Sequence, residues 1–166
     1  MIERGEFAEL HCLSNYSFLR GASHPEELVY KASDLGYSAI AITDECSYSG
    51  LVKAHVAAKQ CGIKLIVGAE FFVDMTHGEE KNSVENIIML APTRQAYGQL
   101  SAFISKIRRK NQKGNSYLHY EDCQIGLSDC LILWSPELQD IDIQVSAGQK
   151  LKTIFQHFWI TLELFQ

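Results

Sequence analysis

The order of apolar and polar positions divides the chain into alternating strands and helices. "FAELHCL", Phe7 to Leu13, reads as a strand, in which His11 and Leu13 share a face because side chains two apart do so. "SHPEELVYKASDLG" follows as a helix. Ser23 and Glu26 have the spacing of a capping box, and Pro25 suits the first turn. Leu28, Val29, Ala32 and Leu35 make one apolar stripe that ends at Gly36. "YSAIAIT" is apolar nearly throughout, the pattern of a strand covered on both faces. A second helix through "SGLVKAHVAAKQCG" stops at Gly62, and "IKLIVGAEFFV" is the next strand. Strands and helices alternating over short links predict parallel pairing with right-handed crossovers.

The second half continues less regularly. "DMTHGEEKNS" is a polar surface turn, "VENIIMLA" a strand, and Thr93 opens a long helix with Leu100, Phe103, Ile104 and Ile107 inward. "KNQKGNSY" is a loop, "CLILW" a short buried strand, "AGQKLKTIFQHF" a helix and "WITLELF" a last strand. An apolar strand with no helix after it leaves an uncovered face and an exposed edge. The expectation is one domain over residues 1–166, cut short at its C-terminal end and able to self-associate.

Composition narrows the class. With 46% apolar and 21% charged residues the chain can bury a core and lacks the polar bias of disorder. A net charge of -5 argues against a surface built as a whole to grip nucleic acid, although a local basic patch is allowed. The cysteines are five and show no C-x-x-C spacing, which fits a reducing compartment better than a zinc ribbon or disulfide scaffold. No run approaches the roughly 20 apolar residues that cross a bilayer, and acids stand where a signal peptide has its apolar core. The expected setting is cytoplasmic, with no membrane partner.

Candidate chemistry gathers where parallel βα folds place it, at the C-terminal ends of strands. Those ends supply His11 and Arg20, then Asp44 and Glu45 from "TDE", then Glu70 from "GAEFF", with Glu85 and Asn86 at the next strand. One imidazole, several carboxylates and an arginine at one mouth suit a divalent ion. The same residues also read as helix caps and loop acids beside a single satisfied histidine. His24, His77 and His119 read as solvated surface residues, His55 and His157 as partly buried rings on helices. Ser14, Ser17 and Ser23 show no His-Asp pairing that would make a nucleophile, and no phosphate-loop motif occurs. "KIRRKNQK" is the dense basic cluster; Lys106, Arg108, Arg109 and Lys110 either face solvent at a helix end or contact nucleic acid or a neighbouring domain.

Three stretches carry a family resemblance. "ELHCLSNYSFLRGASHPEELV", "AIAITDECSYSGLVKAH" and "GIKLIVGAEF" resemble the start of bacterial C-family DNA polymerases, whose N-terminal domain is a polymerase and histidinol phosphatase (PHP) domain. "CLSNYSFLRGASHPEEL" and "AITDECS" look most like the error-prone, alpha-subunit-like members found in damage-inducible mutagenesis cassettes. The likeness continues through "MLAPTRQAYGQLSAFISKIRRK" and, more loosely, to "CLILW" and "FWITLELF".

The resemblance implies an α/β fold: an incomplete PHP-type distorted (β/α) barrel with mainly parallel strands. An intact member holds metal ions that activate water against phosphate. Matched residue by residue, the first motif keeps His11 but has Leu13 for its second histidine, and Arg20 replaces an acidic ligand. The second motif keeps Asp44 and has Glu45 for histidine; Glu70 is kept, and Asn86 stands for a further histidine. Leucine coordinates nothing, and arginine brings a permanent positive charge that repels a divalent ion. The expectation is a vestigial pocket of His11, Arg20, Asp44, Glu45 and Glu70, in which Arg20 pairs with Glu70, Glu45 or Asp44 and no cofactor is held. The alternative keeps Zn or Mn at His11 and Glu70.

The implied role is the N-terminal PHP portion of an error-prone DNA polymerase in translesion synthesis, structural and not itself catalytic. The parent's Mg-dependent nucleotidyl transfer would lie in a palm domain. Implied partners are the remaining polymerase domains and, through the parent, DNA, the sliding clamp and the cassette's other proteins. Two alternatives stay open: a stand-alone metal-dependent PHP phosphoesterase, and a non-catalytic interaction module.

Overall fold

A computed structural model describes residues 7–76, 84–124, 126–136 and 141–161. The chain divides into two compact units, residues 1–69 and 70–166.

The first unit contains β1 (Ala8–Glu9), α1 (Pro25–Asp34), β2 (Ala39–Ile42), α2 (Leu51–Cys61) and residues 64–69 of β3 (Lys64–Asp74). β1 pairs with β2 and β2 with β3, both in parallel, with Ala8 opposite Ala39 and Ala39 opposite Lys64. Every residue of β2 is buried, as its unbroken apolar run predicts. The core joins Val29 and Ala32 of α1, Ile40 and Ile42 of β2, and Ala54, Ala57 and Ala58 of α2. Both helices stop where glycine was expected to stop them. Gly36 and Gly62 take φ of +74° and +77°, the left-handed region that costs glycine nothing.

Two local expectations shift. The cap of α1 is His24, one residue after Ser23, and it is Glu27 whose carboxylate accepts the His24 N–H, at 2.8 Å. Leu35, assigned to the apolar stripe, is exposed at the helix end. β1 is also far shorter than Phe7–Leu13. Beyond Glu9 side chains enter the pairing: the His11 N–H donates to the Glu9 carboxylate at 3.0 Å and the Cys12 N–H to the Thr43 hydroxyl at 3.1 Å, while the Thr43 N–H still donates to the Cys12 carbonyl at 2.9 Å. Residues 10–14 are not strand, so strand alternation does not orient His11 and Leu13.

The second unit holds residues 70–74 of β3, then β4 (Val84–Ala91), α3 (Arg94–Lys110) and β5 (Leu118–His119). A 3-10 turn (Tyr120–Gln124), β6 (Leu131–Ser135), α4 (Ile141–Ile154) and β7 (Phe158–Ile160) complete it. Its strands are ordered β3-β4-β6-β7, with β5 alongside β3. β3–β5 and β6–β7 pair in parallel, whereas β4 and β6 run antiparallel with Ile87 opposite Trp134. Between β4 and β6 the chain passes through α3, β5 and the turn, and re-enters the sheet at the end where β4 left it, with Leu131 opposite Leu90.

The Thr93 hydroxyl caps α3 by accepting the Ala96 N–H at 3.1 Å. Leu100, Phe103 and Ile107 are buried and Ile104 half-buried, and the Phe103 ring meets Phe71 edge-on at 5.4 Å between centroids. α4 begins at Ile141, well before the expected Ala147, because Ile141 and Val145 are exposed and blur the apolar period. It ends before Phe158, which joins β7. Glu85, buried on β4, accepts the Trp134 indole N–H at 2.8 Å, so neither polar group is stranded. Most of the expected turn "DMTHGEEKNS", His77 included, and the end of the last predicted strand lie outside the described residues.

Candidate functional site

Asp44, just past the end of β2, is 1% exposed. A carboxylate taken out of water needs donors or a counter-charge. The segment after β1 supplies three donors. The Ser14 N–H reaches Oδ1 at 2.8 Å, the Ser14 hydroxyl Oδ2 at 2.7 Å, and the Ser17 hydroxyl Oδ1 at 2.7 Å. Both serines are buried with it. The Ser17 hydroxyl also accepts the Glu45 N–H at 3.0 Å, tying the residue after Asp44 to the same loop.

Backbone bonds shape that loop. The Ser14 carbonyl accepts the Ser17 N–H at 2.9 Å, and the Ser17 carbonyl accepts the Gly21 N–H at 3.0 Å. The return at Gly21 is so close that a Cβ there would sit 2.0 Å from the Ser14 carbonyl oxygen. Only glycine fits this approach. Burial, then the charges of Glu9 and Asp44, push the neighbouring Cys12 thiol up to about 11.

Arg20 leaves the loop and meets Glu45, Nη1 to Oε2 at 3.5 Å, with each side chain about one-third exposed (33% and 32%). Of the three carboxylates expected to receive it, Glu45 is the partner described. His11 is half-buried. Glu70 belongs to the second unit, where it is fully buried on β3 and accepts the Asn86 side-chain N–H at 3.3 Å. The Asn86 side-chain oxygen, Oδ1, is buried without a partner among the described residues.

The donor chemistry of the first unit does not fit the metal cluster that the resemblance implies. Both Asp44 oxygens already accept hydroxyl and amide donors, so the buried carboxylate is satisfied without a cation. Leu13 offers no ligand atom, and Arg20 holds a guanidinium against Glu45. Among the described residues no three or more His, Cys, Asp or Glu side chains are grouped to hold an ion.

The remaining candidates fall out individually. Ser14 and Ser17 do meet an aspartate, but as donors that satisfy it, with no imidazole among their partners. His24 caps α1 and shares a contact of 2.9 Å with the Asn15 amide. His55 and His157 are exposed, against the expectation of partly buried rings, and His157 lies beyond the end of α4. His119 corrects in the other direction: it is half-buried on β5, its Nε2 2.9 Å from the Thr76 carbonyl oxygen.

The basic cluster at the end of α3 is partly neutralised. Lys106 and Lys110 reach Asp122 at 3.8 and 2.5 Å, while Arg108 and Arg109 are exposed. Burial alone would raise the Asp122 carboxyl. The hydrogen bonds from Lys110 and the His119 N–H, with the charges of Lys110 and Lys106, outweigh it and hold the carboxyl below its usual range.

Sequence reasoning missed the Ser14 and Ser17 partnership with Asp44. The available signal was two hydroxyls three residues apart just before an arginine-glycine pair, which is compatible with many turns.

Comparisons with known proteins identify the family. The PHP domain profile matches residues 9–145. An error-prone DNA polymerase of Idiomarina loihiensis is 47% identical over 158 residues, 95% of this chain but 14% of that protein. One from Dechloromonas aromatica is 52% identical over 136 residues, 79% of this chain and 12% of that protein. The chain thus spans about one-seventh or less of these curated relatives' length. Among solved structures, a candidate metal-dependent phosphoesterase of Bifidobacterium adolescentis superposes with a TM-score of 0.62 at 12% identity, covering 93% of this chain and 77% of that one. With the profile spanning β1 to the start of α4, the chain belongs to the PHP domain family.

Proposed function

We propose that the chain is the PHP portion of an error-prone DNA polymerase and supports that enzyme structurally in synthesis past damaged DNA. Identities of 47% and 52% to polymerases of that kind support this reading. The observation that carries the structural role is the hydrogen bonding of buried Asp44 by Ser14 and Ser17 at both of its oxygens. A residue that would ligate a metal in a hydrolytic relative here anchors a loop instead. The parent enzyme would hold Mg in its palm and work with DNA, the sliding clamp and the cassette proteins. No helix among the described residues is long and apolar enough to cross a membrane, and a cytoplasmic setting accords with free cysteines.

The test is metal content with phosphatase activity. After incubation with Mn or Zn and desalting, the chain should carry well under one equivalent of metal and show no metal-dependent hydrolysis of a phosphate monoester. One tightly held equivalent, lost in a His11→Ala or Glu70→Gln variant, would overturn the metal-free reading.

A further inference from the structure

The anchored loop carries an unusual tip. Phe18 is 87% exposed and Leu19 102% exposed, so two large apolar side chains stand in water side by side. Leu19 also adopts φ of +62°, in the left-handed region that ordinary side chains avoid. A mobile loop would relax such a residue and fold its apolar groups down. This one is pinned from below by the Ser14 and Ser17 bonds to buried Asp44, and closed at Gly21. Strain held in place by a built support points to a use for the exposed groups.

We infer that Phe18 and Leu19 form a docking knob that inserts into an apolar socket on another protein surface, supplied by the part of the polymerase outside this domain. The inference rests on the proposed function, because the relatives carry most of their length beyond the matched segment. Charge decides between protein and nucleic acid. Phosphate recognition needs unmatched cations. Around this loop Arg20 is matched by Glu45, and Lys53, 6.0 Å from the Tyr16 ring centre, by Glu26 at 3.6 Å. The same pairing disfavours an anionic membrane surface. An uncharged apolar tip fits an apolar socket, where aromatic and aliphatic anchors contribute most of the affinity.

The experiment adds the 166-residue chain in trans to the Idiomarina loihiensis polymerase lacking its matching segment, and reads association by sedimentation or calorimetry. Binding should weaken at least tenfold in a Phe18→Ser, Leu19→Ser double variant, while a Phe18→Leu variant keeps most of it. Thermal melting of the double variant should match the parent, since neither side chain is buried. Equal binding by parent and double variant would overturn the knob and leave the proposed function standing. Absence of binding by the parent chain would overturn both. Self-association of the parent chain, or binding of single-stranded DNA, that the double variant abolishes would assign the knob to another partner and overturn the inference.

Discussion

Ser14 holds Asp44 through both of its donors: the backbone N–H bonds one carboxylate oxygen at 2.8 Å and the side-chain hydroxyl bonds the other at 2.7 Å. With Ser17 on Oδ1, the buried carboxylate is a fixed post around which the 14–21 loop is wound.

Asp44→Asn should therefore destabilise the metal-free chain by about 1–3 kcal/mol, since bonds to a charged acceptor become neutral ones and the Ser14 hydroxyl must turn to accept from the amide. Chemical denaturation in the presence of a chelator measures it. If Asp44 were only a metal ligand, the same substitution would relieve a buried charge and stabilise the chain.

Arg20→Ala should cost much less, under about 1 kcal/mol, because a half-open pair at 3.5 Å is screened by water and salt. An effect as large as that of Asp44→Asn would mean that Arg20, not the serines, holds the site together.

Two glycine substitutions should move stability in opposite directions. Gly21→Ala drives a methyl against the Ser14 carbonyl oxygen, 2.0 Å away, and must displace backbone. Gly98→Ala, inside α3 with nothing within 4 Å of the new methyl, should stabilise by about 0.5–1 kcal/mol through helix propensity. Thermal melts of the two variants, side by side, read the sign directly.

The Asp122 carboxyl is held below its ordinary value, so the charged form is favoured by folding. Its contribution is present above the unfolded carboxylate pKa, about 4, and is lost as pH falls through the lower folded value. Asp122→Asn should flatten the acid limb of the stability curve and leave the region above pH 6 nearly parallel to that of the parent. Added salt should reduce the difference, because Lys106 and Lys110 are half-exposed.

Burial raises three thiols: Cys12 and Cys130 to about 11, Cys123 to about 12. Near neutral pH they should resist alkylation in the folded chain and react rapidly once it is unfolded by denaturant. Mass spectrometry after a timed iodoacetamide pulse distinguishes the states.

Local chemistry made much of this molecule readable from residues alone. The unbroken apolar run of β2, the Thr93 cap, the glycines that end α1 and α2, and the motif positions of His11, Asp44 and Glu70 depend on neighbours close in sequence. So does the loss of ligand chemistry at Leu13 and Arg20, which is a property of the side chains themselves. The antiparallel β4–β6 pairing, the early end of β1 and the attachment of Lys106 and Lys110 to Asp122 needed the tertiary structure. Above all, it assigned Asp44 to Ser14 and Ser17, across about thirty residues of chain. A hydroxyl carries no signal of its partner in sequence, because any of several acceptors could satisfy it. Which one does is decided only when folding removes the others and leaves a buried charge beside it.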